Sequence, residues 1–131
     1  MNSISDLSPS EILLVDFSQD LYKLNISSGF SEQLTTLDQR YTDIALSGDG
    51  RLIGTTFNGI FNIDNKTFEE VQTGVSLDGS ANSLTFSNND RLFVGFEDGS
   101  IVEIDLNSEK TKFLAKVDSS AGDLAFNDGS L

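Results

Sequence analysis

The chain has 131 residues, of which 37% are apolar and 22% charged, and its formal net charge is −13. These are the values of one folded domain; with neither cysteine nor histidine, disulfide frameworks, thiolate or imidazole zinc sites and serine- or cysteine-type triads are excluded. Acids outnumber bases 21 to 8, which disfavours nucleic-acid backbones and anionic membrane surfaces and leaves cationic partners and divalent ions open.

In chain order, residues 1–10 read as an N-terminal tail and residues 11–131 as a succession of short apolar segments. No apolar run is longer than Ile12 to Val15, so neither a membrane-spanning helix nor a secretory signal core fits. That absence points to the cytoplasm, while the lack of cysteine and the acidity equally suit an exported protein. The segments are rich in Ile, Leu, Val and Phe and are bounded by Gly, Asn, Asp and Ser, which predicts strands joined by turns. Strands are expected at 11–17, 20–25 and 30–36; then at 42–47, 51–57, 60–64 and 67–73; then at 82–87, 91–96, 100–105 and 110–117; and last at 122–127. Asp49-Gly50, Asn58-Gly59, Asp98-Gly99 and Asp128-Gly129 supply hairpin turn chemistry, because Gly and Asn tolerate positive φ.

The same unit recurs every 40 residues or so. Ile44, Leu84 and Leu124 are equivalent, as are Leu46, Phe86 and Phe126, and Arg51-Leu52 returns as Arg91-Leu92. A period near 40 also occurs in helical solenoids, but those carry long 3.6-residue stripes and this chain has none. Four antiparallel strands per unit of that length predict an all-β chain of β-propeller blades. The expected blades cover 11–36, 41–73 and 82–117, with 122–127 as the first strand of a further one. First strands alternate large and small residues (Ile44-Ala45-Leu46, Leu84-Thr85-Phe86), as expected where both faces pack against neighbouring blades.

The segments DIALSGDGRLIGTTFNGIFNID and SLTFSNNDRLFVGFEDGSIVEID carry a family resemblance. Each reads apolar strand, turn, apolar strand, Gly turn, then a strand ending in Ile-Asp. In this the chain resembles the β-propeller superfamily of WD-repeat-like and NHL-like bacterial blades. The Gly-His pair and Trp-Asp ending of eukaryotic WD repeats are absent, since there is neither His nor Trp. The expected strands make about three blade-equivalents, whereas closed propellers have typically 4 to 8 blades. The expectation is a fragment of a longer propeller. The alternative is a three-blade protomer that self-assembles, two copies making six blades, with the last strand of one against residues 12–17 of the other.

The resemblance implies a binding face built by the loops entering each first strand and by the turns joining second to third strands. The candidate ligand-binding residues on it are Asp38, Arg40, Asp43, Asp78, Asn82, Asp98, Asp118 and Asp123. A ring of carboxylates and amides suits Ca²⁺, which takes 6 to 8 oxygens, but the same residues are ordinary turn formers on wet loops. Asp64 and Asp105 end third strands at equivalent places and read as turn caps. Arg51 and Arg91 repeat with the unit, which points to a structural or surface role. The functional expectation is a non-catalytic interaction module for a protein or small-molecule ligand, with no cofactor required. The alternative is part of a calcium-dependent hydrolase or lyase, since paired carboxylates can do acid–base work without histidine.

Overall fold

The structure, a computed structural model, describes residues 7–118 and Leu124. Among these are eleven strands in three separate antiparallel sheets. The first sheet has β1 (Glu11–Val15), β2 (Asp20–Asn25) and β3 (Ser31–Thr36) in that order. The second runs β4 (Asp43–Leu46), β5 (Leu52–Thr55), β6 (Ile60–Ile63) and β7 (Glu70–Gln72). The third runs β8 (Ala81–Phe86), β9 (Leu92–Phe96), β10 (Ser100–Asp105) and β11 (Lys110–Lys116). Every strand in a sheet pairs with its neighbour in sequence, and none of the sheets closes into a barrel. This is the architecture of about three propeller blades. The strand expected at 122–127 lies outside the described residues except for Leu124. No helix among the described residues is long and apolar enough to cross a membrane.

The repeat in the sequence is a repeat of hydrogen-bond register. Ile12 pairs with Leu24, Leu52 with Ile63 and Leu92 with Ile104. Leu46 opposes Leu52 as Phe86 opposes Leu92. The first sheet has three strands because β1 and β2 correspond to β5 and β6, and nothing among the described residues occupies the place of β4 beside β1.

Several strands are shorter than their apolar segments. The fourth strand of the second blade begins at Glu70 rather than at 67, because Phe68 adopts a left-handed φ of 63° that closes the turn before it. That turn is held from its other end: the Asp64 carboxylate accepts the N–H groups of Lys66 and Thr67, both at 2.8 Å.

Two apolar layers hold the sheets face to face. The layer between the first and second sheets contains Leu21, Leu37, Tyr41, Leu52, Phe61 and Ile63, with Leu13, Val15, Ile44 and Leu46 against it. The layer between the second and third contains Ile53, Ile60, Leu84, Leu92, Val94 and Ile104, with Ala45 and Phe86 at its margin. Strand alternation explains the division: in β4 the large Ile44 and Leu46 face the preceding blade and the small Ala45 faces the following one. Strand β5 is buried at every residue because it lies between both layers. Close approach needs glycine at Gly54, where a Cβ would run into the Tyr41 ring, and at its equivalent Gly95, where one would run into Ser83 Oγ. The Tyr41 ring also meets Phe61 edge to face at 5.8 Å.

Polar staples join neighbouring blades near their first strands. Thr42 Oγ1 donates to the Ala81 carbonyl at 3.0 Å, and Asp43 Oδ2 accepts the Leu84 N–H at 2.7 Å. The Arg51 guanidinium sits 5.7 Å from the centre of the Phe86 ring in the next blade.

Candidate functional site

Three second-to-third turns and the loops entering β4 and β8 emerge on one side of the stack. The turns carry Phe17, Phe57 and Glu97, 40 residues apart at equivalent places. Phe17 is fully exposed and Phe57 is 52% exposed. Exposed aromatic rings at turn tips add nothing to the core, because neither apolar layer includes them. They line, with Arg40, Asn82 and Glu97, a depression of about 450 Å³ that Gln19, Tyr41 and Thr42 complete. The chemistry on offer is mixed: two apolar rings, one guanidinium, one carboxylate and an amide.

The loop from Leu37 to Thr42 is held rigid from beneath by Glu70, which sequence reasoning did not single out. Its carboxylate accepts the Asp38 N–H at 2.7 Å, the Gln39 N–H at 3.0 Å and the Tyr41 hydroxyl at 2.8 Å. Burial, and then the Glu70 carboxylate, push the Tyr41 hydroxyl well above its ordinary range, so it stays protonated and donates. From the preceding blade, Gln19 Oε1 accepts the Tyr41 N–H at 3.0 Å. The sequence offered a signal for Phe17 and Phe57, their repeat spacing, but none for Glu70, whose partners are about 30 residues upstream.

The candidate residues do not form one constellation. Arg40 and Asn82 share the depression with the two rings. Asp78 and Asp98 share a smaller one of about 180 Å³, beside Phe96 and Phe113. Asp98 is held below the usual carboxylate range by the Ser100 N–H, which it accepts at 2.8 Å in its own turn. Asp43 is half-buried and engaged with the backbone, accepting the Ile44 N–H at 2.9 Å besides that of Leu84. Asp38 and Asp118 are exposed and line neither depression. Asp123 lies outside the described residues. Among the described residues, no three Asp or Glu side chains are grouped closely enough to hold a metal ion.

Asp64 and Asp105 do cap turns. Asp105 Oδ1 accepts the Asn107 and Ser108 N–H groups at 2.9 and 3.2 Å, and Asn25 does the same for Ser27 and Ser28. These backbone bonds hold both aspartates below the usual carboxylate range. The repeated arginines take different partners. Arg91 makes a two-pronged ion pair with Glu103 at 2.7 and 2.8 Å, while Arg51 meets Asp49 at 3.4 Å and reaches Phe86.

No protein-family model matches the sequence, and no curated protein matches it. Solved structures do. The virginiamycin B lyase from Staphylococcus aureus superposes with a TM-score of 0.62 at 16% identity, over 92% of this chain and 43% of that one. The WD40 repeats of RRP9 give 0.60 at 16% identity, over 89% and 39%. YCF48 bound to D1 peptide gives 0.56 at 13% identity, over 82% and 36%. The chain thus spans less than half the length of these structures, and at such identities the likeness is one of fold.

Proposed function

We propose that the chain is a non-catalytic β-propeller interaction module, contributing about three blades to a larger ring and binding a protein ligand on its turn face. The observation that carries this reading is the pair Phe17 and Phe57. Phe17 is bare, Phe57 is half covered and neither belongs to an apolar layer, and exposed rings at equivalent turn tips are what a peptide anchors on. Rigid loops beneath them, fixed through Glu70 and Gln19, lower the ordering cost of binding. The peptide bound to YCF48, a protein of similar fold, fits the same use. The calcium-dependent hydrolase or lyase reading calls for several carboxylates around one point, and the described residues bring no three together.

The test is selection of a displayed random-peptide library on the wild-type chain, with counter-selection on Phe17→Ser/Phe57→Ser. Both side chains lie outside the core, so the variant should melt like the wild type. Enrichment of peptides that bind wild type at least about tenfold better, about 1.4 kcal/mol, is expected. Equal binding to both proteins overturns the reading. Heat on titration with millimolar Ca²⁺ would instead favour the alternative.

A further inference from the structure

The turn between β5 and β6 is Thr56-Phe57-Asn58-Gly59, closed by a backbone bond from the Thr56 N–H to the Gly59 carbonyl at 2.9 Å. An asparagine followed by glycine is the pair in which the side-chain amide is most open to attack by the next main-chain nitrogen, because glycine has no Cβ to hinder the approach. The structure prepares both partners. The Gly59 N–H donates to nothing among the described residues, so its nitrogen has no hydrogen bond to give up. The Thr56 hydroxyl donates to Asn58 Oδ1 at 3.3 Å, closer than the Gly59 carbonyl at 3.5 Å. Asn58 Oδ1 is the oxygen on which negative charge gathers when the amide carbon is attacked. Gly59 is covered by Gln72 and Phe61, while the Asn58 side chain stands in solvent, where ammonia can leave and water can enter.

No other described asparagine is so placed. After Asn25, the Ile26 N–H donates to the Ser10 carbonyl at 2.8 Å, and after Asn89 the Asp90 N–H donates to the Ser87 carbonyl at 3.0 Å. After Asn65, the Lys66 N–H donates to Asp64 Oδ1 at 2.8 Å. After Asn88, the Asn89 N–H donates to Ser87 Oγ at 3.2 Å, and after Asn107 the Ser108 N–H donates to Asp105 Oδ1 at 3.2 Å. Asn62 and Asn82 lie inside strands β6 and β8. The turn also differs in charge from its equivalents. The β1–β2 turn carries Asp16 and the β9–β10 turn carries Glu97 and Asp98, whereas Thr56 to Gly59 includes no charged side chain.

We propose that Asn58 is a self-modification site, converted by the turn around it to aspartate and isoaspartate. The Gly59 nitrogen bonds to Asn58 Cγ and gives up its proton. The Cγ–Nδ2 bond breaks, and Nδ2 leaves as ammonia with that proton, which closes a cyclic imide. Water then opens the ring at either carbonyl. Addition at Cγ breaks its new bond to the Gly59 nitrogen and leaves aspartate. Addition at the main-chain carbonyl carbon breaks the original peptide bond and leaves isoaspartate, with the chain running through the former side chain. One water is consumed and one ammonia released, with no change of oxidation state. Either product puts a negative charge into a turn that is made without one, beside Phe57, which shares its depression with Arg40. Isoaspartate also lengthens the main chain by a carbon atom, which displaces the Phe57 ring. The face that Phe57 helps to build therefore has two chemical states, one as synthesised and one acquired with time.

The test is to hold the pure, folded chain in warm, mildly alkaline buffer made with heavy-oxygen water, then digest it and sequence the peptides by mass spectrometry with fragmentation that separates aspartate from isoaspartate. Asn58 should convert to both labelled products at least about tenfold faster than any other described asparagine, whose following N–H is held in a hydrogen bond or a strand. Thr56→Val keeps the shape of the side chain without its hydroxyl and should slow the conversion about three- to tenfold, the worth of one hydrogen bond. Thr56→Ser keeps the hydroxyl and should convert at the wild-type rate. Asn25 and Asn107 in the same digests report on the fold, since unfolding frees the N–H groups that follow them. Survival of Asn58 for as long as Asn25 or Asn107 would overturn the proposal, as would aspartate without isoaspartate, which only the ring can give. So would a Thr56→Val chain that converts as fast as the wild type, or a Thr56→Ser chain as slow as Thr56→Val.

Discussion

Among the described residues, four that are not glycine hold left-handed φ angles between 58° and 65°: Gln19, Phe68, Asp90 and Glu109. Glycine is the easier residue there, and the structurally equivalent turns do use Gly29 and Gly50. What the four share is a side chain that reaches a neighbouring blade. Gln19 accepts the Tyr41 N–H, Phe68 packs into the layer between the first two sheets, Asp90 accepts the Gly48 N–H at 2.8 Å and Glu109 accepts the Gly74 N–H. Asp90→Gly relieves a strain of about 1 kcal/mol but removes a charge-assisted bond worth about 1.5–3 kcal/mol. Net destabilisation of about 1 kcal/mol is expected by urea titration, with Asp90→Asn close to neutral because it keeps both the turn and an acceptor. Titration offers a second test. Asp64 and Asp105 are held below the usual carboxylate range when folded. Their contribution is therefore present above about pH 4 and is lost as pH falls through the folded values. Asp64→Asn/Asp105→Asn should keep the turns, as Asn25 does, and show a shallower drop in Tm below pH 4.

At the scale of the strand, Gly54 is the tightest point of the second blade. Gly54→Ala drives a methyl group into the Tyr41 ring, which Glu70 and Phe61 hold in place. Overpacking of about 1–3 kcal/mol should appear as a lower denaturation midpoint, partly restored by Tyr41→Ala in the same chain. This contact also marks where the sequence stops being legible. Blade boundaries, register and the direction of Ile44, Ala45 and Leu46 follow from a 40-residue period and a two-residue alternation, both written locally. The start of β7 does not, because Phe68 in a left-handed conformation looks like any strand phenylalanine. Nor does the turn face. Its acids were legible as loop residues, but Asp43 spends its carboxylate on Leu84, Asp78 and Asp98 sit apart from Arg40 and Asn82, and the loop is set by Glu70. Those are contacts between units, and a repeat pattern describes only what is within one.

For the whole molecule, shape and charge pull against each other. The open face of the first blade exposes Ile12 and Leu14, yet two copies each carrying −13 repel. Salt of about 0.15 M screens exposed charges beyond roughly 8 Å and leaves apolar burial intact. Association of the pure chain should therefore tighten between low and physiological salt, by sedimentation equilibrium; weakening would mean that opposite charges hold the contact. The blades themselves are unevenly built. The second strands β5 and β9 are buried along their whole length, while β11 is exposed at every residue and β7 at two of its three. All the inter-blade staples of Thr42 and Asp43 lie at the first strands. Further out, β7 is tied in through Glu70 to the Leu37–Thr42 loop and the β10–β11 turn through Glu109 to Gly74, which leaves β11 itself as the least anchored strand. Amide protons should exchange with deuterated solvent from β11 first and from β5 and β9 only when the whole stack opens, so that a partner gripping the rim of the third blade meets a yielding strand and one seated at the turn face meets rigid loops.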